Sequence, residues 1–573
     1  MRRALAGMLA IAMVAAVGCS KPTEEVKPQP TPDAPKAAPQ VIKINIGTDP
    51  KTLDPNVSTG APEANIQLSL WEGLMRLDKD GRAVPGAAES YTMSPDGLTY
   101  TFKIRANAKW SNGDDVTAED FAWSWKRTLD PLLASEYAYQ VYYIKGAQKA
   151  NTIPVNKVDA NGKEVLGADG KAQPRPEAEI KADFEAAFKE VGIKVVDAKT
   201  LEVTLEAPTP YFLSLTAFHT LYPVHKKTVE ADKESWFRKA ETTVTNGPFK
   251  LVSWTPKDKV IVEKNPNYWA KDLVKLDKIE YFLIEDESTA TTMFESGELD
   301  IIESGVNTAE LDRLKKDQAD SLKILPDLAV YYYRFNVTKA PMNDVKVRKA
   351  LSLAIDRNAI VTNITKAGQK PAFSLVPAGV PDVNGDFRAN GGDYFKEDLA
   401  EAKKLLAEAG FPDGKGFPKV EILYNTSEGH KRIGEAIQEM WKKNLGIEVS
   451  LVNVEWQVYL DNQSKLNFQI SRAGWIGDYI DPMTFVDMWV TDGGNNQTGW
   501  SNKTYDELVD KAKKSGDTKV RMEAMHQAEK LLMEEMPIMP IYHYVRVRMV
   551  SPKVQNWSEP LTSGMNLREA YIK

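Results

Sequence analysis

Only one of the 573 residues is a cysteine, and it stands at position 19. Everything after it must hold together without disulfides, and neither a cysteine nucleophile nor a thiolate metal site is open to the body of the chain. Stability has to come from buried cores. The chain is too long for one ordinary core and long enough for two or three domains that bury most of their apolar surface. Its composition allows this: 42% of residues are apolar and 27% charged, the mixture of a soluble globular protein. A net charge of −7 argues against a general nucleic-acid binder, which needs a basic stripe to neutralise phosphates.

The lone cysteine also closes a distinct N-terminal segment. Arg2 and Arg3 make a short positive region, and Ala4 to Val17 is an apolar run without charge. That run is too short to cross a bilayer, whose ~30 Å of hydrocarbon takes about 20 helical residues. It fits the hydrophobic region of a secretory signal. The sequence Ala16-Val17-Gly18-Cys19 resembles the lipobox of bacterial lipoproteins, with Ala16 where that motif usually has leucine. The resemblance implies that Cys19 becomes the lipidated first residue of the mature chain. The rival reading is a small-residue cleavage site in a freely soluble protein. Ser20 to Gln40 is rich in Pro, Ala, Lys and Glu and cannot offset its ordering entropy by burial. Extended as polyproline II it reaches ~60 Å at most. Residues 1–18 are therefore expected to be a signal peptide, and 19–40 a lipidated cysteine with a Pro-rich tether. No other apolar run is long enough to span a bilayer.

From Val41 onward, strand patterns alternate with helical ones. Val41 to Ile46, Thr99 to Ile104, Leu201 to Leu205, Val260 to Glu263 and Val420 to Tyr424 read as strands. Ala118 to Arg127, Leu399 to Ala409 and His430 to Lys443 read as helices, the second stopped by Gly410 and Pro412. The fold class is α/β. Asn151 to Glu179 reads as a long surface loop or hairpin insertion. Metalloprotease, nucleophile-elbow, Walker and dinucleotide motifs are all missing, and the five histidines show no zinc-ligand spacing. Asp382, Asn384 and Asp386 suggest a calcium loop only faintly, because Phe387 stands where a glycine is needed, so a turn is expected. No cofactor is expected. Thirteen Trp and 21 Tyr exceed what packing requires, and some are candidates for the walls of a pocket.

Several ordered segments carry a family resemblance. They run Leu53-Asp54-Pro55, Trp71-Glu72-Gly73-Leu74, Lys109-Trp110-Ser111-Asn112-Gly113 and Val116-Thr117-Ala118-Glu119-Asp120-Phe121. Thr245-Asn246-Gly247-Pro248-Phe249, Asn265-Pro266-Asn267-Tyr268-Trp269, Val347-Arg348-Lys349-Ala350-Leu351 and Asp356-Arg357 follow. Last comes Arg472-Ala473-Gly474-Trp475-Ile476-Gly477-Asp478-Tyr479, with Trp456 upstream. In order and spacing, from residue 41 to the end, the chain resembles the oligopeptide-binding proteins of bacterial ABC importers, the peptide and nickel class of family 5 solute-binding proteins. That resemblance implies a two-lobed, periplasmic-binding-protein-like fold of type II, cluster C, with a third domain and a hinge. Carried over, lobe I would comprise 41–72, 227–328 and 546–573, the extra domain 73–226, and the second lobe 329–545.

The resemblance further implies a receptor without catalytic activity, a monomer held near the membrane by its lipid, that passes short peptides to an ABC permease. Burying a peptide ammonium demands a paired carboxylate, and Asp478 matches the family's aspartate for that role. Gly474, Trp475 and Ile476 match positions running along the peptide backbone. Arg472 and His430, the latter in a segment that begins at Asn425, match basic groups for the peptide carboxylate. Tyr137, Trp456 and Tyr544 match aromatic lining positions, and Thr59 and Ala61 complete the expected ligand set. Thr59 replaces a glutamate of the best-known enteric members, and Gln463-Ser464 replaces an Arg-His pair. Thr365 aligns with a carboxylate-binding lysine, and Lys366 stands next to it. Ala329 and Ile476 align with two cysteines joined there as a disulfide, while Glu303, Asp327 and Arg334 replace tyrosine and glutamate lining groups. These departures thin the carboxylate anchors and favour one rival, a receptor for a specialised ligand such as murein peptide. From other classes the rivals are a secreted hydrolase and a surface adhesin that reuses the fold. Localisation is expected to be periplasmic or cell-surface.

Overall fold

Two strands are far longer than the rest. Leu322–Phe335 has 14 residues and Ile538–Val550 has 13, in a computed structural model that describes residues 38–159 and 163–573. The signal peptide, Cys19 and most of the tether lie outside the described residues. The two strands pair antiparallel, with the register shifting between Pro326 and Val330 and again at Tyr331 and Tyr332. At the first shift three residues, Asp327 to Ala329, lie opposite Tyr544 alone, a bulge that bends and twists the pair.

The sheet spreads outward from this pair. On one side Leu322–Phe335 takes Ile470–Ile476, then Val420–Asn425 and Val449–Val454. On the other, Ile538–Val550 takes Ile301–Ile302, Val41–Asn45, Lys278–Phe282, Lys259–Lys264 and Phe249–Thr255. With Lys370–Pro371 attached to Ile538–Val550, eleven strands of the described residues form one sheet. Val420–Asn425 and Val449–Val454 are parallel, so a crossover must join them, and the helix Glu428–Leu445 supplies it. Its start is fixed by Ser427, whose side chain accepts the His430 N–H, and its end by Gly446 in the left-handed conformation at φ +69°. Ile433, Ile437 and Trp441 recur every four residues and make its buried face.

Alternate residues of Leu322–Phe335 serve different cores. Tyr331, Tyr333 and Phe335 pack with Trp441, Ile437 and Val347, while Leu328, Val330 and Tyr332 join the larger core containing Trp475 and Trp489. From Leu328 to Phe335 the strand is buried on both faces, as the central strand of a covered sheet must be. Ala329 and Ile476, the positions that the resemblance pairs as cysteines, stand opposite each other in register, joined here by strand pairing alone.

A separate four-stranded antiparallel sheet runs Ala88–Met93, Thr99–Ile104, Thr200–Thr204, Ile193–Asp197. Against it lies the helix Ala118–Leu129, opened by a capping box of Thr117 and Asp120. The expected insertion is shorter than 151–179 at its far end, because the helix Glu177–Phe188 has begun by then. Bridges between Asn156 and Pro174, and between Leu166 and Ala172, make it hairpin-like. The Asp382–Asp386 segment is a turn: Asp382 pairs with His526 at 2.9 Å, and Asp386 caps the helix Phe387–Gly391. Gln40, assigned above to the tether, is already tied into the fold, donating its N–H to Asp277 and accepting that of Ile572 at 2.8 Å.

Trp441 is fully buried and its indole donates to the Leu351 carbonyl at 2.8 Å. Trp441→Ala removes a large packed side chain and leaves that carbonyl without its donor. It is expected to lower unfolding free energy by about 3–5 kcal/mol, as read by urea denaturation.

Candidate functional site

A cavity of about 530 Å³ opens beside the two long strands, and all twelve residues singled out as ligand-binding from the sequence line it. They reach it from separate elements. Along Ile470–Ile476 the two-residue period leaves Arg472, Gly474 and Ile476 more open and buries Ser471, Ala473 and Trp475. Gly474 has no side chain to fill the space: a Cβ there would come within 3.2 Å of the Tyr544 hydroxyl.

Asp478 follows the strand and is only 7% exposed. Its Oδ2 accepts from Gln140 Nε2 at 2.7 Å, and its backbone N–H donates to Thr484 Oγ1 at 2.9 Å. Among the described residues no cation stands within ion-pair distance. Burial pushes its carboxyl well above the usual range, which is the signature of a buried acid without a counter-charge. Trp475 is locked beside it by an indole bond to the Thr484 carbonyl at 2.8 Å, and its ring stacks on Tyr137 with centroids 6.0 Å apart.

Arg472 presents the opposite charge. Its Nη2 donates to Tyr544 at 2.8 Å, its Nη1 reaches Asn425 Oδ1 at 3.4 Å, and it lies 4.8 Å from the Tyr331 ring centroid. All of these partners are neutral, and Nε has none among the described residues. His430 sits at the start of its helix with Nδ1 3.5 Å from the Tyr331 hydroxyl. Burial and the Arg472 charge hold its imidazole well below the ordinary pKa. It offers a neutral ring to the cavity where the sequence suggested a basic group.

Thr59 and Ala61 flank Gly60, the N-cap of the helix Ala61–Leu70. A Cβ on Gly60 would lie 2.1 Å from Glu63 Oε2 and 2.9 Å from the Trp456 ring, so any larger residue would force the Glu63 and Trp456 side chains to shift. Trp456 donates to Glu63 Oε1 at 3.3 Å and stacks on Tyr459 at 5.4 Å.

The replacement acids have partners of their own. Glu303 pairs with Arg548 at 3.1 Å and Asp327 with Arg546 at 3.0 Å, while Glu559 meets the two arginines at 2.7 and 3.3 Å. They face their own counter-charges and are not free acids. Sequence reasoning passed over Arg546 and Arg548, although basic residues two apart in an apolar strand signal one charged stripe on one face. It also missed Gln140, which carries no local signal.

Further contacts cross from the 41–72 and 227–328 segments to 329–545. Lys51 pairs with Asp461 at 2.6 Å. Glu287 accepts from Ser427 Oγ at 3.0 Å, the Gly429 N–H at 3.2 Å and Arg432 at 3.4 Å. The carboxylate thus sits at the N-terminus of the Glu428–Leu445 helix, where backbone N–H groups favour an anion.

The family description "Bacterial extracellular solute-binding proteins, family 5 Middle" matches residues 82–497. The oligopeptide-binding protein OppA of Bacillus subtilis is 39% identical over 541 residues, covering 93% of this chain and 92% of that protein. The solved structure of the Escherichia coli murein tripeptide binding protein MppA matches with a TM-score of 0.82 at 34% identity, over 94% of this chain and 99% of that one. A second structure of MppA, its unliganded open form, reaches 0.59 at 34% identity, over 94% and 98%. Haemophilus influenzae OppA in complex with the peptide RPPGFSPFR gives 0.82 at 33% identity, over 94% and 99%. The fold is the two-lobed α/β architecture of these structures. With the family description covering most of its length and these relatives matched nearly end to end, the chain belongs to the bacterial extracellular solute-binding proteins of family 5.

Proposed function

We propose that this protein is the substrate-binding component of an ABC importer, capturing short peptides in the cavity without chemically altering them. One observation carries the reading: a single cavity holds a buried carboxylate with no cation, Asp478, and a half-buried guanidinium with no carboxylate, Arg472. Charges buried alone are costly. A free peptide brings an ammonium and a carboxylate, and so supplies both missing partners. Gly474 and its strand neighbours leave backbone groups beside the cavity, and backbone hydrogen bonding tolerates any peptide sequence. The relatives named for oligopeptides and murein tripeptide support the same class of ligand.

Capture works by closure. Lobe I is formed by 41–72, 227–328 and 546–573, the third domain by 73–226 and the second lobe by 329–545, with the two long strands as the hinge. The Lys51–Asp461 and Glu287 contacts hold the closed form, and the better match to structures other than the unliganded open form supports that assignment. Secretion by the 1–18 signal, lipidation at Cys19 and the tether keep the monomer near its permease.

Purified protein should release a short peptide on denaturation, uncut relative to what was supplied, and calorimetry with tri- to pentapeptides should give saturable heat. Neither a bound peptide nor any heat would overturn the proposal. Asp478→Asn should weaken free peptides by ~100-fold or more, the cost of breaking a buried pair, and leave N-acetylated peptides nearly untouched. Equal loss for both would make Asp478 structural. Acidification acts in the same direction, because protonating Asp478 removes the charge that an ammonium needs, so affinity for free peptides should fall with pH. Glu287→Ala should leave the fold intact but raise the radius of gyration of the peptide-saturated protein in small-angle scattering, with affinity lowered by about tenfold.

A further inference from the structure

We propose that Arg334 is a second carboxylate subsite, and that the receptor favours peptides with an acidic side chain. This rests on the peptide reading above and names the ligand within it. Arg334 lies on Leu322–Phe335 opposite Ser471 and is 4% exposed. Its Nη1 donates to the amide oxygens of Gln463, at 3.1 Å, and Gln497. Its Nη2 reaches only the Tyr332 hydroxyl at 3.4 Å and the Asn495 carbonyl at 3.5 Å, both at the outer limit of a hydrogen bond. Nε has no partner among the described residues. The guanidinium is therefore held in place by neutral groups, with donors to spare.

Direct ion pairing separates the arginines of the cavity. Arg546 and Arg548 pair with Glu303, Asp327 and Glu559, three carboxylates for two guanidiniums. Arg334 and Arg472 have no carboxylate within ion-pair distance among the described residues. Glu136 comes nearest to Arg334 along the hydrogen bonds, but the Gln497 side chain stands between them, donating Nε2 to Glu136 at 2.8 Å. Arg334, Gln463, Gln497 and Asn495 line the cavity together with Tyr459 and Trp456. With an ammonium on Asp478 and a terminal carboxylate on Arg472, Arg334 is the cavity guanidinium that still has no carboxylate in direct contact. A planar guanidinium is the group best shaped to hold one. Arg334 and Arg472 also point to opposite faces of the sheet, because their positions opposite Ser471 and Tyr333 differ in parity. They are separate anchors, not two halves of one clamp.

The test uses full-length protein and tri- to pentapeptides in which one glutamate is moved through the sequence. Each is compared with its glutamine counterpart, with free and with amidated C-termini. At one position glutamate should bind at least about tenfold tighter than glutamine, whichever C-terminus is present. Arg334→Met should abolish that preference and leave the affinity for glutamine peptides nearly unchanged. Wild-type protein with no such position overturns the proposal, and needs no variant to do so. Equal weakening of glutamate and glutamine peptides by Arg334→Met makes the residue structural and overturns it too. If Arg334→Met instead erases the difference between free and amidated C-termini, Arg334 holds the terminal carboxylate and the side-chain assignment falls. Failure of every peptide to bind wild-type protein overturns the peptide reading itself, and this subsite with it.

Discussion

Leu322–Phe335 and Ile538–Val550 pair along most of their length, and every other strand of the large sheet is reached through one of them. The pair is thus both the join between two bodies of structure and the floor beside which the cavity opens. Its main irregularity falls between Pro326 and Val330, next to Asp327 and opposite Tyr544, both of which line the cavity. A regular ladder resists bending, whereas a bulge concentrates twist over a few residues. Under the closure proposed above, hinge and site are built from the same short stretch of backbone. A ligand contacting that stretch then touches the part of the fold that moves.

The cavity sorts its charges into two groups. Glu303, Asp327 and Glu559 each stand in an ion pair with Arg546 or Arg548 within the protein. Asp478, Arg472 and Arg334 are fixed only by neutral donors and acceptors. The cost of burying the second group falls on the fold until something charged enters. Preorganised, unpaired groups of this kind favour a ligand of complementary charge over water, and a mismatched ligand leaves the penalty in place. Specificity here is a matter of which buried charges remain unanswered.

Much of this was legible in the residues, for identifiable reasons. The Arg472–Asp478 segment declared itself through its own spacing. The strands Thr99–Ile104 and Val420–Asn425 show local alternation or a short β-branched run, and Glu428–Leu445 keeps a four-residue apolar period. Leu322–Phe335 was hidden because its second half is buried on both faces and has no period to detect. The pairing of Glu303 and Asp327 could not be read because their arginines lie more than 200 residues away in sequence. Gln140 meets Asp478 across 338 residues, and Gly60 is hemmed in by Glu63 and by Trp456 on a distant helix. Contacts of this kind exist only after the chain has folded.

The attachment of Gln40 bears on how the folded unit carries load. Val41–Asn45, which follows it, is not an edge strand: it is flanked in parallel by Lys278–Phe282 on one side and Ile301–Ile302 on the other. Tension applied to the chain ahead of Gln40 runs along this strand and is shared by hydrogen bonds on both flanks in shear. An edge strand pulled across its ladder would unzip one bond at a time. The Gln40 contacts with Asp277 and Ile572 add a second grip at the point where force enters. Force entering at Gln40 is therefore borne by the sheet in shear, at a mechanically reinforced point of entry.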